Sequence, residues 1–533
     1  MKCCERMNGR SMEKNTGKTG RIVNTKRNMF YGLLQVTVSQ LLPFVLRTII
    51  IYRFGADYLG LSSLFTSILS VLSLMELGFG TAVVYSMYKP VADNDTDLIC
   101  RYLAYYRKMY ALIGTAILVV GSILMPFLRF FVKEQTLPGG LNLYLCYLIF
   151  LSDAVISYLL FGYMTSIPLA YQRRDVLSKV NLWFSIPQCL VKLLLLLVSR
   201  NFYFYLLSIP VLTIVRNLVT AHVIRRRYPE LRCRGELDGD QKKDLTKKVS
   251  GLIIGKVTGV SRNSIDTLCI SAFVGLTVTG VYSIYYHIMA AVISVSTIVL
   301  NSMMSSVGNS IASESREKNY EDIRLFDFIY MAVAVWGTVC LLCLYQPFIF
   351  VWLGKDMLFG LPVMIVLCVY FYILKSGDIR WVYHEGAGLW YECRFIMIGE
   401  AIANTVMNIV LCKVLGVLGI VLATVISVFV TNCFLCPRVL FRQYFQNGKI
   451  NEYWTDHIAY TITMLITAGT SWLFCECLLP MQLIEKSKAK GVLCLGGRLL
   501  ICSFWAIVLW WIIWHRNGMY KKAVGWIKKV IRA

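Results

Sequence analysis

The segment SGLIIGKVTGVSRNSIDTLCISAF (250–273) is long enough to cross a bilayer, yet Lys256, Gly259, Arg262, Asn263 and Asp266 recur along it at three- and four-residue steps. That spacing sets them on one face of a helix. Two cations and a carboxylate sharing a face can hold an anion, exchange a proton or neutralise one another. Arg262 and Asp266, four apart, are also spaced for an internal ion pair. A further cation, Arg47, stands in PFVLRTIIIYRFG (43–55), preceded by Gln40 and Pro43 at the same steps. It lies about five residues, roughly 8 Å of helix rise, from the expected end of its span, so snorkelling to the interface competes with a cavity role. Two more polar stripes accompany these: Ser63, Thr66, Ser70, Ser73 and Glu76 on one segment, and Ser283, His287, Ser294, Thr297, Asn301 and Ser305 on another. Asp153, Lys192, Arg216, Glu400 and Arg498 are isolated charges in apolar runs. None of these sets assembles a catalytic centre. HEGAG (384–388) lacks the second histidine of a zinc-protease helix, and NTGKTG (15–20) lacks the leading glycine of a phosphate loop. No enzyme chemistry, cofactor or metal is expected.

The elements that must position these residues are membrane helices. Of the 533 residues, 57% are hydrophobic and 16% charged, and the mean hydropathy is +0.61, far from a soluble domain. Apolar runs of about 20 residues recur almost to the C-terminus. They predict an all-α polytopic fold of fourteen helices at 29–52, 59–87, 109–131, 141–170, 180–199, 202–224, 250–272, 277–305, 327–352, 358–377, 395–412, 415–437, 457–480 and 491–515. Most of the 54 Lys and Arg then fall on the side of the N-terminus, including eight between Lys2 and Arg27 and nine in 225–248, which predicts cytoplasmic termini. The net charge of +24 flanks helices, so it reads as topology signal and anionic membrane-lipid contact, not nucleic-acid binding. The 18 cysteines lie mostly in runs such as CLLCLY (340–345) and CFLC (433–436), and are read as packing residues, not metal or redox groups.

GLSSLFTSIL (60–69) and GVYSIYYHIM (280–289) share glycine, serine, aromatic and isoleucine positions at an offset of 220 residues, and the basic pairs Lys26–Arg27 and Lys247–Lys248 precede the helices before them. Two six-helix lobes of like orientation follow, with two helices appended and a central cavity between the lobes lined by the four polar stripes. The expected organisation is a basic tail (1–27), an N-terminal lobe (28–224), a basic linker (225–249), a C-terminal lobe (250–440), two added spans (441–515) and a basic tail (516–533).

DYLGLSSLFTSILSVLSLMELGFGTAVVYSMYKPVADND (57–95), followed by RYLAYYRKMY (101–110), resembles the polysaccharide-exporting (Wzx-type) flippases of the multidrug/oligosaccharidyl-lipid/polysaccharide exporter superfamily. The resemblance implies a multi-pass protein of the bacterial inner membrane. Such a protein moves a polyprenyl-diphosphate-linked oligosaccharide (O-antigen, capsule or exopolysaccharide repeat unit) to the outer leaflet by alternating access, beside polysaccharide polymerase machinery. It further implies that cavity cations accept the diphosphate, for which Arg47, Lys256, Arg262, Lys192 and Arg216 are available. Without a nucleotide site, an ion gradient is one source of drive, with Asp266 best placed to respond and Glu76, Asp153 and His287 as alternatives. Two other readings stand beside it. A multidrug or cation exporter of the same superfamily would call for acidic cavity residues, and a membrane polymerase or glycosyltransferase for a large outer loop.

Overall fold

The computed structural model describes residues 18–532 apart from 77, 134–136, 200, 447 and 486; side chains at 18–30, 75, 247–248, 250–258, 261, 305, 390 and 529–532 are also outside the description. Residues 1–17 of the basic tail, both basic pairs, and the side chains of Lys256 and Ser305 therefore lie outside the described residues.

Among the described residues the chain is helical, with no strand. The main helices are α1 (Lys18–Arg53), α2 (Ala56–Leu72), α3 (Phe79–Asp93), α4 (Thr96–Leu124), α5 (Leu143–Leu159), α6 (Ser166–Ala170), α7 (Arg174–Val198), α8 (Phe202–Arg227) and α9 (Gly239–Cys269). There follow α10 (Leu276–Ser313), α11 (Arg316–Leu353), α12 (Leu361–Ser376), α13 (Asp378–Gly386), α14 (Trp390–Leu415), α15 (Val417–Val430), α16 (Ile450–Leu478), α17 (Lys488–Trp514) and α18 (Gly518–Arg532). The protein is a polytopic α-helical membrane protein. Eleven described helices are long and apolar enough to cross a bilayer, or twelve when the pair Leu143–Leu159 and Gly162–Ala170, bent by 54°, counts as one.

The other two of the fourteen expected spans are not among these, for physical reasons. The run 59–87 breaks after Leu72 into a 3₁₀ turn, Ser73–Glu76, and Gly78 takes a left-handed φ of +72° before α3 begins. The run 250–272 is helical, but Lys256, Arg262 and Asp266 interrupt its apolar character.

Contacts divide the chain into two compact units, one of residues 1–47, 79–118 and 151–246, the other of 48–78, 119–150 and 247–533. Within the second unit the 220-residue repeat becomes a physical contact. Gly55 and Gly275 cap α2 and α10 with φ of 115° and 131°. Five residues on, Gly60 and Gly280 face each other: a Cβ on Gly60 would stand 1.9 Å from the Leu276 carbonyl oxygen, and one on Gly280 2.0 Å from that of Ala56. Because 276 is 56 + 220 and 280 is 60 + 220, each partner sees the other's equivalent, as across a two-fold axis.

Also in this unit, α16 and α17 dock on α11 through a core that includes Phe328, Met331, Tyr460, Trp510 and Trp514. The basic tail is an amphipathic helix, α18, whose Trp526 ring packs 5.6 Å from Phe326 on α11. Lys522 of the same helix pairs with Glu321 of α11 at 3.5 Å.

Candidate functional site

In the second unit the polar face of α9 meets α12, α14 and α15. Arg262 pairs with Glu400 of α14 at 2.5 Å and hydrogen-bonds Tyr370 of α12. Asp266, 2% exposed, accepts hydrogen bonds from Asn408 Nδ2 at 2.7 Å, from Thr424 Oγ1 at 2.9 and 3.1 Å and from the Tyr282 hydroxyl at 3.5 Å. Arg262 is near enough to act on it electrostatically, but the short ion pair of Arg262 is with Glu400 across helices, not with Asp266 four residues on. Asn404 extends the network by donating to Thr424 and Ser427. Each charge is held by several neighbours, as burial in a low-dielectric interior demands.

The first unit gathers the other sequence-predicted charges. Arg47 of α1, half-buried, lies within electrostatic reach of Tyr205 on α8, Tyr205 of Cys189 on α7, and Cys189 of Lys192. Lys192 in turn feels both Asp153 of α5 and Arg216 of α8. Arg47, Lys192 and Arg216 thus share a neighbourhood with one carboxylate, and the buried Oδ1 of Asp153 accepts no hydrogen bond from the described residues. Lys192 and Arg216 therefore outnumber the one carboxylate beside them.

The hydroxyl stripes are less telling than their spacing suggests. Thr66, Ser70 and Ser73 on the second segment, and Ser294 and Thr297 on α10, each donate at 2.8 Å to the carbonyl four residues back, so these donors are satisfied without water. Glu76 sits in the 3₁₀ break and His287 on α10, both half-buried. Arg498 is buried, not snorkelling, and bonds Glu476 and the carbonyls of Leu479 and Cys343.

Sequence reasoning missed the neutral half of the Asp266 cluster. Its signal was present: Glu400, Asn404 and Asn408 stand four apart on one face of α14. It also missed a second buried network in which Asp327 accepts from the Tyr453 hydroxyl and lies 3.4 Å from His457, while Arg380 donates to Tyr453 at 3.0 Å. These residues join α11, α13 and α16.

Taken together, broken apolar helices, a glycine-to-glycine contact between repeats and buried charge clusters define a polytopic helical membrane fold with an internal repeat. Comparison with solved structures supplies its particular form. The fold is similar to that of the lipid II flippase MurJ in an inward closed conformation (TM-score 0.60, 14% identity, 93% of this chain and 99% of that one). It is also similar to an inward-facing multidrug resistance MATE family transporter of the MOP superfamily (0.59, 12%, 77% and 96%) and to the MATE multidrug transporter DinF-BH in complex with R6G (0.54, 16%, 82% and 97%). No family model and no curated protein matches the sequence.

Proposed function

We propose that the protein is a flippase that carries a polyprenyl-diphosphate-linked oligosaccharide from the cytoplasmic to the outer leaflet of a bacterial inner membrane, with both termini cytoplasmic. The observation that carries this reading is how much of the chain each neighbour accounts for. The MATE structures align with 77–82% of it and the lipid II flippase with 93%. The C-terminal 93 residues from 441 onward are about 17% of 533, so a 93% match cannot omit the added pair α16 and α17. The flippase neighbour therefore supports the reading over multidrug export.

The charge distribution supports it as well. Lys192 and Arg216 exceed the single carboxylate beside them, Asp153, and fixed cations, an arginine fork above all, suit the oxygens of a diphosphate. Arg262, held by Glu400, serves this anion only by exchanging its carboxylate for it. Asp266 is the ion-responsive group, and it is Glu400, not Asp266, that substrate would release from Arg262. With cytoplasmic termini, the α1–α2 and α9–α10 turns lie on the outer side.

Multidrug export is the second reading, favoured by the acidic centre at Asp266. Reconstitution separates the two. Purified protein in proteoliposomes should move a lipid-linked oligosaccharide into the reagent-accessible leaflet and leave a cationic dye gradient unaltered. Dye efflux without lipid movement overturns the flippase.

A further inference from the structure

Three helices of the second unit bring three sulfurs together. Cys343 of α11, Cys475 of α16 and Cys502 of α17 are each at most 1% exposed. Their Sγ atoms all lie within 4.8 Å of one another, with 3.7 Å between Cys475 and Cys502. Among the described residues no other set of three or more His, Cys, Asp or Glu ligand atoms is so spaced. Apolar packing asks only that small side chains fill the seams between helices; it does not require three thiols from three helices to converge on one point.

The spacing fits a metal. Thiolates bind a tetrahedral or trigonal cation at about 2.3 Å, which sets sulfurs about 4 Å apart, within the range found here. Three sulfurs with no oxygen or imidazole among them select a soft cation over Mg²⁺ or Ca²⁺. The setting also meets the electrostatic demand. Arg498, 1% exposed, donates from Nη1 to the Cys343 carbonyl at 3.2 Å, so a guanidinium stands beside the thiolates. Glu476, adjacent to Cys475 in sequence and 35% exposed, holds Arg498 at 2.8 Å.

We propose that Cys343, Cys475 and Cys502 form a thiolate site for one soft, thiophilic cation, of the class of Cu(I) or Zn(II). Binding is a ligand exchange: each thiol that coordinates releases one proton, so affinity rises with pH. Bound metal clamps α16 and α17 to α11, the helix on which both dock.

Cd(II) is the probe. Titrated into the full-length protein in detergent with a non-thiol reductant, the first equivalent should give ultraviolet thiolate-to-metal charge transfer and raise the melting temperature. Cys475→Ser and Cys502→Ser should each lose that equivalent and the shift. Unchanged stoichiometry and shift in both variants overturns the site. Should the variants fail to fold, X-ray absorption of the wild-type protein at one equivalent decides: three sulfur ligands are expected, and an oxygen- or nitrogen-dominated shell, or an adventitious surface ion only, overturns it. Neither readout depends on flipping, so failure here leaves the transport reading intact.

Discussion

Two charge clusters, one in each compact unit, are built in opposite ways. In the second, Arg262 and Glu400 neutralise each other at 2.5 Å and Asp266 is held by Asn408, Thr424 and Tyr282. In the first, Lys192 and Arg216 share one carboxylate, Asp153, and no ion pair within 4.0 Å joins either to a carboxylate among the described residues. A charge-paired network serves structure and the uptake of a small ion or proton; an excess of fixed cations serves an anion that arrives from outside. Opposite responses to substitution follow: variants of the first unit should lose transport and keep stability, and those of the second the reverse.

The largest effect is expected from Lys192→Ala combined with Arg216→Ala. Each removes a charged contact to substrate worth about 1.5–3 kcal/mol, so flipping should fall by on the order of a hundredfold or more. The melting temperature should fall far less than flipping does, because the relief of Lys192–Arg216 repulsion offsets the loss of cations beside Asp153. Flipping assays paired with thermal unfolding check both halves. A double variant that melts much lower with normal residual flipping breaks the comparison.

Next comes Glu400→Gln, which leaves Arg262 buried opposite a neutral amide and should lower unfolding free energy by about 3–5 kcal/mol. Combining it with Arg262→Met should recover most of the loss in thermal unfolding, since the stranded guanidinium is then gone. Thr424→Val removes one donor to Asp266 and should cost about 1–3 kcal/mol, with a changed dependence of flipping on an imposed ion or pH gradient.

The smallest effect lies outside the membrane. The Lys108 ammonium, 2.7 Å away, holds the exposed Glu236 carboxyl below the usual carboxylate range. A depressed carboxyl stabilises above its ordinary titration range and loses that contribution as pH falls through its folded value. Hydrogen exchange in the 228–238 loop should therefore quicken only under acid conditions, and Glu236→Gln should show the faster exchange at neutral pH.

How far this contrast could be read in advance depended on sequence distance. The apolar runs, the face of α9 and the offset joining Gly60 to Gly280 were legible because each is a local periodicity or a long self-similarity. The partner of Arg262 was not. An i,i+4 rule points to Asp266, but the helix directs the guanidinium across to α14, and only packing fixes which of two carboxylates it meets. The break at Ser73–Gly78 was hidden because hydropathy averages over a turn that local hydroxyl–carbonyl bonding and one left-handed glycine interrupt. The convergence of three cysteines was likewise invisible, since α11, α16 and α17 are more than a hundred residues apart at their extremes and no spacing rule links them.

The central claim is that the cations of the first unit, not the paired Arg262, hold the anionic headgroup. Native mass spectrometry of the full-length protein with polyprenyl diphosphate, and polyprenyl monophosphate as competitor, tests it most directly. Diphosphate should bind the wild type and Arg262→Ala in preference to monophosphate, and that preference should vanish in Lys192→Ala/Arg216→Ala. Retained preference in the double variant, with loss in Arg262→Ala, would contradict the account.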